Sequence, residues 1–118
     1  MEDLREALSS NSKEDVLDAI FTLQGIENYE ASKEVKGLVF KLVNHHDPNI
    51  REEAINLSAI HWGDASIYAT LVRMISFYEK DQSVLSVICF GLGSLVVRGS
   101  GDRDEVANII FKIIEDDP

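Results

Sequence analysis

The sequence is poor in cysteine, proline and positive charge, and each shortage removes a class of protein. Its one cysteine, Cys89, can form no disulfide within the chain. Cys89 lies in the apolar run SVLSVICFGLGSLVV, where a thiol behaves as a small hydrophobe at a core phase of a helix. Only 11 Lys and Arg stand against 21 Asp and Glu, a formal net charge of −10. Binders of DNA or RNA draw most of their affinity from cations that displace counterions from phosphate, so direct nucleic-acid binding is not expected. No apolar stretch is long and unbroken enough to span a bilayer; the longest is interrupted by Ser and Gly. The opening MEDLREALSS lacks the basic and apolar regions of a secretory signal, so a reducing, cytoplasmic setting is expected. With 118 residues, two prolines and 45% hydrophobic residues, the chain is expected to form a single domain, 1–118, with its own core.

What is present is helical periodicity. Ser12 with Asp15 makes a capping-box-like start to a helix whose apolar stripe is Val16, Ala19, Ile20 and Leu23, ended by Gly25. Ser32 caps a second helix with Val35, Leu38, Val39, Leu42 and Val43 inward, finishing near Asn44 to His46. Asp47 followed by Pro48 restarts the chain, because Asp accepts from free first-turn amides and Pro gives up an amide with no partner there. That third helix points Ile50, Ala54, Leu57 and Ile60 inward and Glu52, Glu53 and Asn56 to water. Gly63 and Asp64 mark the next turn. A helix burying Ile67, Leu71 and Ile75, with Met74 and Tyr78 alongside, follows it. Asp81 starts a helix over about 82–97, RGSGDRD breaks it, and Asp102 caps a last helix with Val106, Ile109, Ile110 and Ile113. No period-2 alternation competes, so the fold class is all-α.

The helices come in pairs that superimpose in sequence. Asp81 lies 34 residues after Asp47, Val84 after Ile50 and Ile88 after Ala54, and the same step back reaches Val16 and Ile20. In the partner helices Leu38, Leu71 and Val106 are each followed four residues later by Leu42, Ile75 and Ile110. Helical hairpins repeating with a period in the thirties indicate an α-solenoid, in which each pair covers its neighbour's apolar face. The central pattern D-P-x-[IV]-R-x-x-A, a small residue and then G-D is carried by Asp47, Pro48, Ile50, Arg51, Ala54, Ala59, Gly63 and Asp64. It resembles a HEAT repeat of the short type. The expected architecture is a short right-handed α-solenoid of about three HEAT-like hairpins preceded by an N-terminal helical turn. The family often uses a ladder of Asp and Arg contacts between repeats. Here the first copy has Lys13 and Leu17 at those places, and the third keeps Asp81 but has Leu85. Divergent outer copies suit capping units.

Little in this scaffold points to catalysis. His45, His46, Asp47 and His61 invite a metal reading, but adjacent histidines point apart and Asp47 serves as a cap, so turn histidines without a metal are expected. Cys89 has no histidine oriented by a third group to activate it. Gly91, Gly93, Gly99 and Gly101 follow no strand, so they form no phosphate cradle; Gly91 and Gly93 are expected to allow close helix contact. Paired acids such as Glu52 and Glu53 or Asp116 and Asp117 read as solvated surface. The chain is expected to be no enzyme and to need no cofactor.

The turns inside the pairs carry more. Tyr29 and Trp62 fall there, and so do Glu27, Glu30, Asp64, Asp102 and Asp104, along one edge of a solenoid. Aromatic anchors among acids suit a basic protein partner, which an acidic surface also steers. Trp62 folding back over the helix ends, and an acid surplus serving solubility alone, are the plainer readings of the same residues. Glu34, Tyr68, Arg73, Glu105 and Lys112 offer a concave face instead. Size and charge resemble small acidic bacterial immunity proteins, which neutralise a toxin, often a nuclease, by covering its active site. An adaptor or assembly subunit is the second reading. A bilin-lyase-like HEAT protein is a remote third.

Overall fold

The computed structural model describes residues 2–26 and 32–116, and within them every regular element is helical. Helix α1 is Glu2–Leu8, α2 Lys13–Gln24, α3 Lys33–Leu42 and α4 Pro48–Ile55, the last prolonged by a π-helical stretch, Asn56–His61. A single 3-10 turn, Ala65–Ile67, leads into α5, Tyr68–Arg73, prolonged in turn by a π-helical Met74–Tyr78. Helices α6, Gln82–Val97, and α7, Arg103–Asp116, complete the order.

The starts are set by the side chains that sequence periodicity singles out. Ser32 Oγ accepts the Val35 amide at 3.2 Å, Asp47 Oδ1 that of Asn49 at 2.8 Å, Asp81 Oδ1 that of Val84 at 3.0 Å and Asp102 Oδ1 that of Glu105 at 3.0 Å. Each satisfies an amide that the helix leaves without a partner, worth about 1 kcal/mol per cap. The N-terminal helical turn is a full helix of seven residues, tied to α3 by an Arg5–Glu34 ion pair at 2.7 Å.

Helix α4 is the middle of the molecule: α2 packs on one flank and α6 on the other, while α3 packs against α4, and α5 and α7 against α6. The 34-residue correspondence is visible as burial, since Val16, Ile50 and Val84, then Ile20, Ala54 and Ile88, are all sealed in the core. Two neighbours also explain the π-helical end of α4. Leu57, Ser58 and Ala59 are consecutive and all fully buried, an arc wider than one face of a helix. The wider turn is seen in the Trp62 amide donating to Leu57 O at 2.9 Å, five residues back. The Ser58 hydroxyl is satisfied by Ala54 O at 2.8 Å.

Several expectations need correction. In the second helices the equivalent of Leu71 and Val106 is Val39, fully buried, while Leu38 is only half-buried. Tyr78 does not join the stripe. The π-helical turn, with the Glu79 amide on Met74 O at 2.8 Å, slips the phase and turns Phe77 and Tyr78 to the surface. Glu52, Glu53 and Asn56 are half-buried rather than in open water, because α4 has neighbours on both flanks. Ile60, Ile109, Ile110 and Ile113 are half-buried as well.

The most heavily bonded polar contact is one the sequence did not announce. Arg51 donates Nε to Glu79 Oε1 and Nη2 to Glu79 Oε2, both at 2.8 Å, and Nη1 to the carbonyls of His45 and His46 at 2.9 and 3.0 Å. Glu79 Oε2 also accepts the amides of Lys80 and Asp81 at 3.2 Å. One ion pair thus joins the end of α3, the start of α4 and the entry to α6. Earlier in the chain Lys13 reaches Asp47 at 3.1 Å, so a cation at the head of α2 meets the cap of α4.

Candidate functional site

Two surfaces carry features beyond packing: the edge where the turns gather, and an open face of α6. On the edge, Gly63 takes φ +59, a left-handed conformation, and any Cβ there would collide with the Arg98 guanidinium. Arg98 roofs this turn and donates to Ile60 O at 2.7 Å, bringing the end of α6 onto the turn after α4. Tyr68 makes the next link, donating to Glu105 Oε1 at 2.6 Å and accepting the Asp102 amide at 3.2 Å. Burial and then the Glu105 hydrogen bond push the Tyr68 hydroxyl's pKa up.

These bonds draw Trp62, Asp64 and Asp102 to one edge, but not as free contact groups. Trp62 is half-buried and packs on the core. Asp64 accepts the Ser66 amide at 3.0 Å and hydroxyl at 2.7 Å and pairs with Lys36 at 3.4 Å. Burial pushes its carboxyl up, but the Ser66 hydrogen bonds and the Lys36 charge outweigh that and hold its pKa below the usual range. Asp102 caps α7, and Asp104 is exposed. Glu27, Tyr29 and Glu30 lie outside the described residues. Of the other candidate face, Glu34 pairs with Arg5 and Glu105 with Tyr68, leaving Arg73 and Lys112 exposed.

The second surface was missed in sequence. A groove of about 970 Å³ runs along α6 beside α7, with Leu85, Cys89, Phe90, Gly93, Val97 and Ile113 in its walls. Phe90 is 74% and Val97 87% exposed. Cys89 is therefore a groove residue, half-buried, and not in the core. Burial pushes its thiol pKa up, which slows it as a nucleophile. The glycines divide: a Cβ on Gly91 would stand 3.0 Å from Ala59 Cβ, so Gly91 permits a close helix contact, whereas nothing lies within 4 Å of one on Gly93. The signal was available, because α6 has no charged residue from Gln82 to Val97, more apolar surface than one buried face needs. Phe77 and Tyr78, edge to face at 6.3 Å, add an exposed aromatic pair after α5.

The histidine cluster is bound up in local structure. His45 Nδ1 accepts the Asp47 amide at 3.0 Å, and the His45 and His46 rings stack at 4.2 Å. Burial first, then His46, hold the His45 pKa below the ordinary value. Burial pushes the Asp47 carboxyl up, but Lys13 and the amides of Asn49 and Ile50 outweigh it and hold the pKa low. Among the described residues no three His, Cys, Asp or Glu side chains converge as metal ligands, and no helix is long and apolar enough to cross a membrane. Comparison with protein-family models, with curated proteins and with solved structures finds no match to this chain. What defines its class is an all-helical fold with a bonded turn edge and an open apolar groove.

Proposed function

We propose that this chain is a non-catalytic protein-binding module, a short α-solenoid of about three HEAT-like hairpins that binds and neutralises a basic protein partner such as a toxin nuclease. The observation that carries the reading is the net charge of −10 on a molecule of 44 × 29 × 19 Å. That charge on so small a body steers cationic proteins and repels nucleic acid. Support for the solenoid comes from the 34-residue recurrence of buried positions in α2, α4 and α6 and from the sequential packing of those helices. Contacts to the partner come from exposed groups near the turn edge, Asp104 foremost and then Glu105, which gives Oε1 alone to Tyr68, rather than from Asp64, both of whose oxygens are held by Ser66 and Lys36. An adaptor role in a larger assembly is the second reading, favoured by the open groove on α6.

The test is capture of the partner from the source cells by the tagged chain, followed by its identification and intact mass. A basic partner of unchanged mass is expected, and a toxin gene beside this one would select the immunity role over the adaptor role. A partner that is acidic, or that leaves the complex chemically altered, would refute the proposal.

A further inference from the structure

We infer that the groove on α6 seats a basic amphipathic helix of the partner protein, laid along α6 much as α6 lies along α4. The first argument is correspondence between helices. The part of α4 that receives α6 includes Ile55 and Ala59, both fully buried; a Cβ on Gly91 would stand 3.7 Å from Ile55 Cγ2 and 3.0 Å from Ala59 Cβ. Thirty-four residues further on stand Cys89 and Gly93, with the same spacing of four, and both line the open groove. Helix α6 thus repeats, uncovered, the surface on which it is itself seated. Small groups at Cys89 and Gly93 permit the same close approach.

The second argument is chemical. The walls are mainly apolar, so an occupant gains by burying its own apolar stripe and must bring its backbone already hydrogen-bonded. A helix does this, whereas an extended peptide needs a continuous row of backbone partners, and the walls offer only the scattered side chains of Gln82, Ser86 and Ser94. At 16 residues α6 is about 24 Å long, a match for a partner helix of four to five turns. The third argument is charge complementarity. A second copy would bring another −10 to the face, whereas a helix with Lys or Arg flanking its apolar stripe answers the chain's overall charge; the one charged residue among the described residues of the walls, Arg98 at the end of α6, is turned to Ile60 O. The basic character of the helix rests on the function proposed above; the groove and its preference for a helix do not.

Cys89, the only cysteine, reports occupancy of the groove. Three 18-residue peptides serve as probes: a Leu/Ala stripe with Lys on the polar face, the same stripe with Glu in place of Lys, and a Lys peptide of identical composition with the stripe scrambled. The Lys amphipathic peptide should slow modification of Cys89 by an aromatic disulfide reagent at least tenfold at saturation, and the other two should not. The neutral double variant Phe90→Ser/Gly93→Gln should weaken its binding at least tenfold, read by fluorescence anisotropy, with a melting midpoint no lower than the parent's. No protection by any peptide would overturn the inference. Binding of the Lys peptide that leaves Cys89 unprotected and is weakened only by Asp104→Lys and Glu105→Lys would overturn the groove assignment and leave the acidic-surface reading intact. Equal protection by the Glu peptide would keep the helix seat but refute its basic character and the charge argument for function. Protection that rises with protein concentration alone, with a dimer in sedimentation, would make a second copy the occupant and refute the inference.

Discussion

Replacing Glu79 by Gln tests the contact that ties three helices together. The Glu79 side chain is 3% exposed and Arg51 18%, so the pair sits where water screens it poorly. Gln keeps the shape but supplies one acceptor oxygen where two are used. In either orientation its amide nitrogen faces the Arg51 guanidinium, and in one of them the amides of Lys80 and Asp81 as well, donor against donor. Removing one member of a buried pair typically costs about 3–5 kcal/mol, because the remaining charge stays buried. Arg51 keeps the His45 and His46 carbonyls, which places the expected loss near ~3 kcal/mol. For a domain of this size that corresponds to a drop in Tm of about 10 °C. Urea unfolding followed by circular dichroism at 222 nm should show a lower midpoint with an unchanged slope. Glu115→Gln, at an exposed position, should stay within about 0.5 kcal/mol of the parent. If Glu79→Gln proved as harmless as Glu115→Gln, the pair would not be the fastening described.

Other substitutions test the packing and the histidine cluster. Gly93→Ala should stabilise the chain by about 0.5–1 kcal/mol through helix propensity, since its Cβ meets nothing, whereas Gly91→Ala should lose that gain against Ala59; equal melting curves would refute the distinction. Leu57→Asp, placing an unpaired charge at a fully buried position, should prevent cooperative unfolding or lower Tm severely. The His45 pKa is depressed in the fold, so the unfolded chain binds the proton more readily and stability falls as pH drops through the ordinary value of 6.5. Glu52 works the other way, its pKa raised by burial and then by Glu53 and Asp81, so acid relieves it. The parent should therefore lose stability relative to His45→Asn between pH 7 and pH 5.5, and parallel pH profiles would refute the His45 assignment.

The first helix of each hairpin was legible because cap and period agree: Ser12, Asp47 and Asp81 start helices whose Val16, Ile50 and Val84 are all buried. The second helices were read less well. The π-helical turn at Met74–Tyr78 inserts a phase slip that no periodicity of 3.6 anticipates, and it sends Tyr78 outward. Glu79 gave no warning, since an acid beside Lys80 and Asp81 looks like solvated turn until the fold brings Arg51 to it across 28 residues. Cys89 and Gly93 were misplaced for the opposite reason. An apolar phase implies burial only if something lies over it, and on this side of α6 none of the described residues seals the groove. Of the edge residues, Trp62 offered in sequence both an anchor and a plug over the helix ends, and the structure packs it on the core; Asp64 is engaged by Ser66 two residues on and by Lys36, which only the fold brings to it.

The proposed recruitment of a basic partner by the acidic surface is tested most directly by the dependence of association rate on salt. Stopped-flow association of the chain with the captured partner, followed as salt rises and the Debye length shrinks from about 10 Å at 0.1 M to about 3 Å at 1 M, should show the on-rate falling steeply while dissociation changes little. Asp104→Lys with Glu105→Lys should lower the on-rate at low salt and flatten its salt dependence. An on-rate indifferent both to salt and to these reversals would contradict the account.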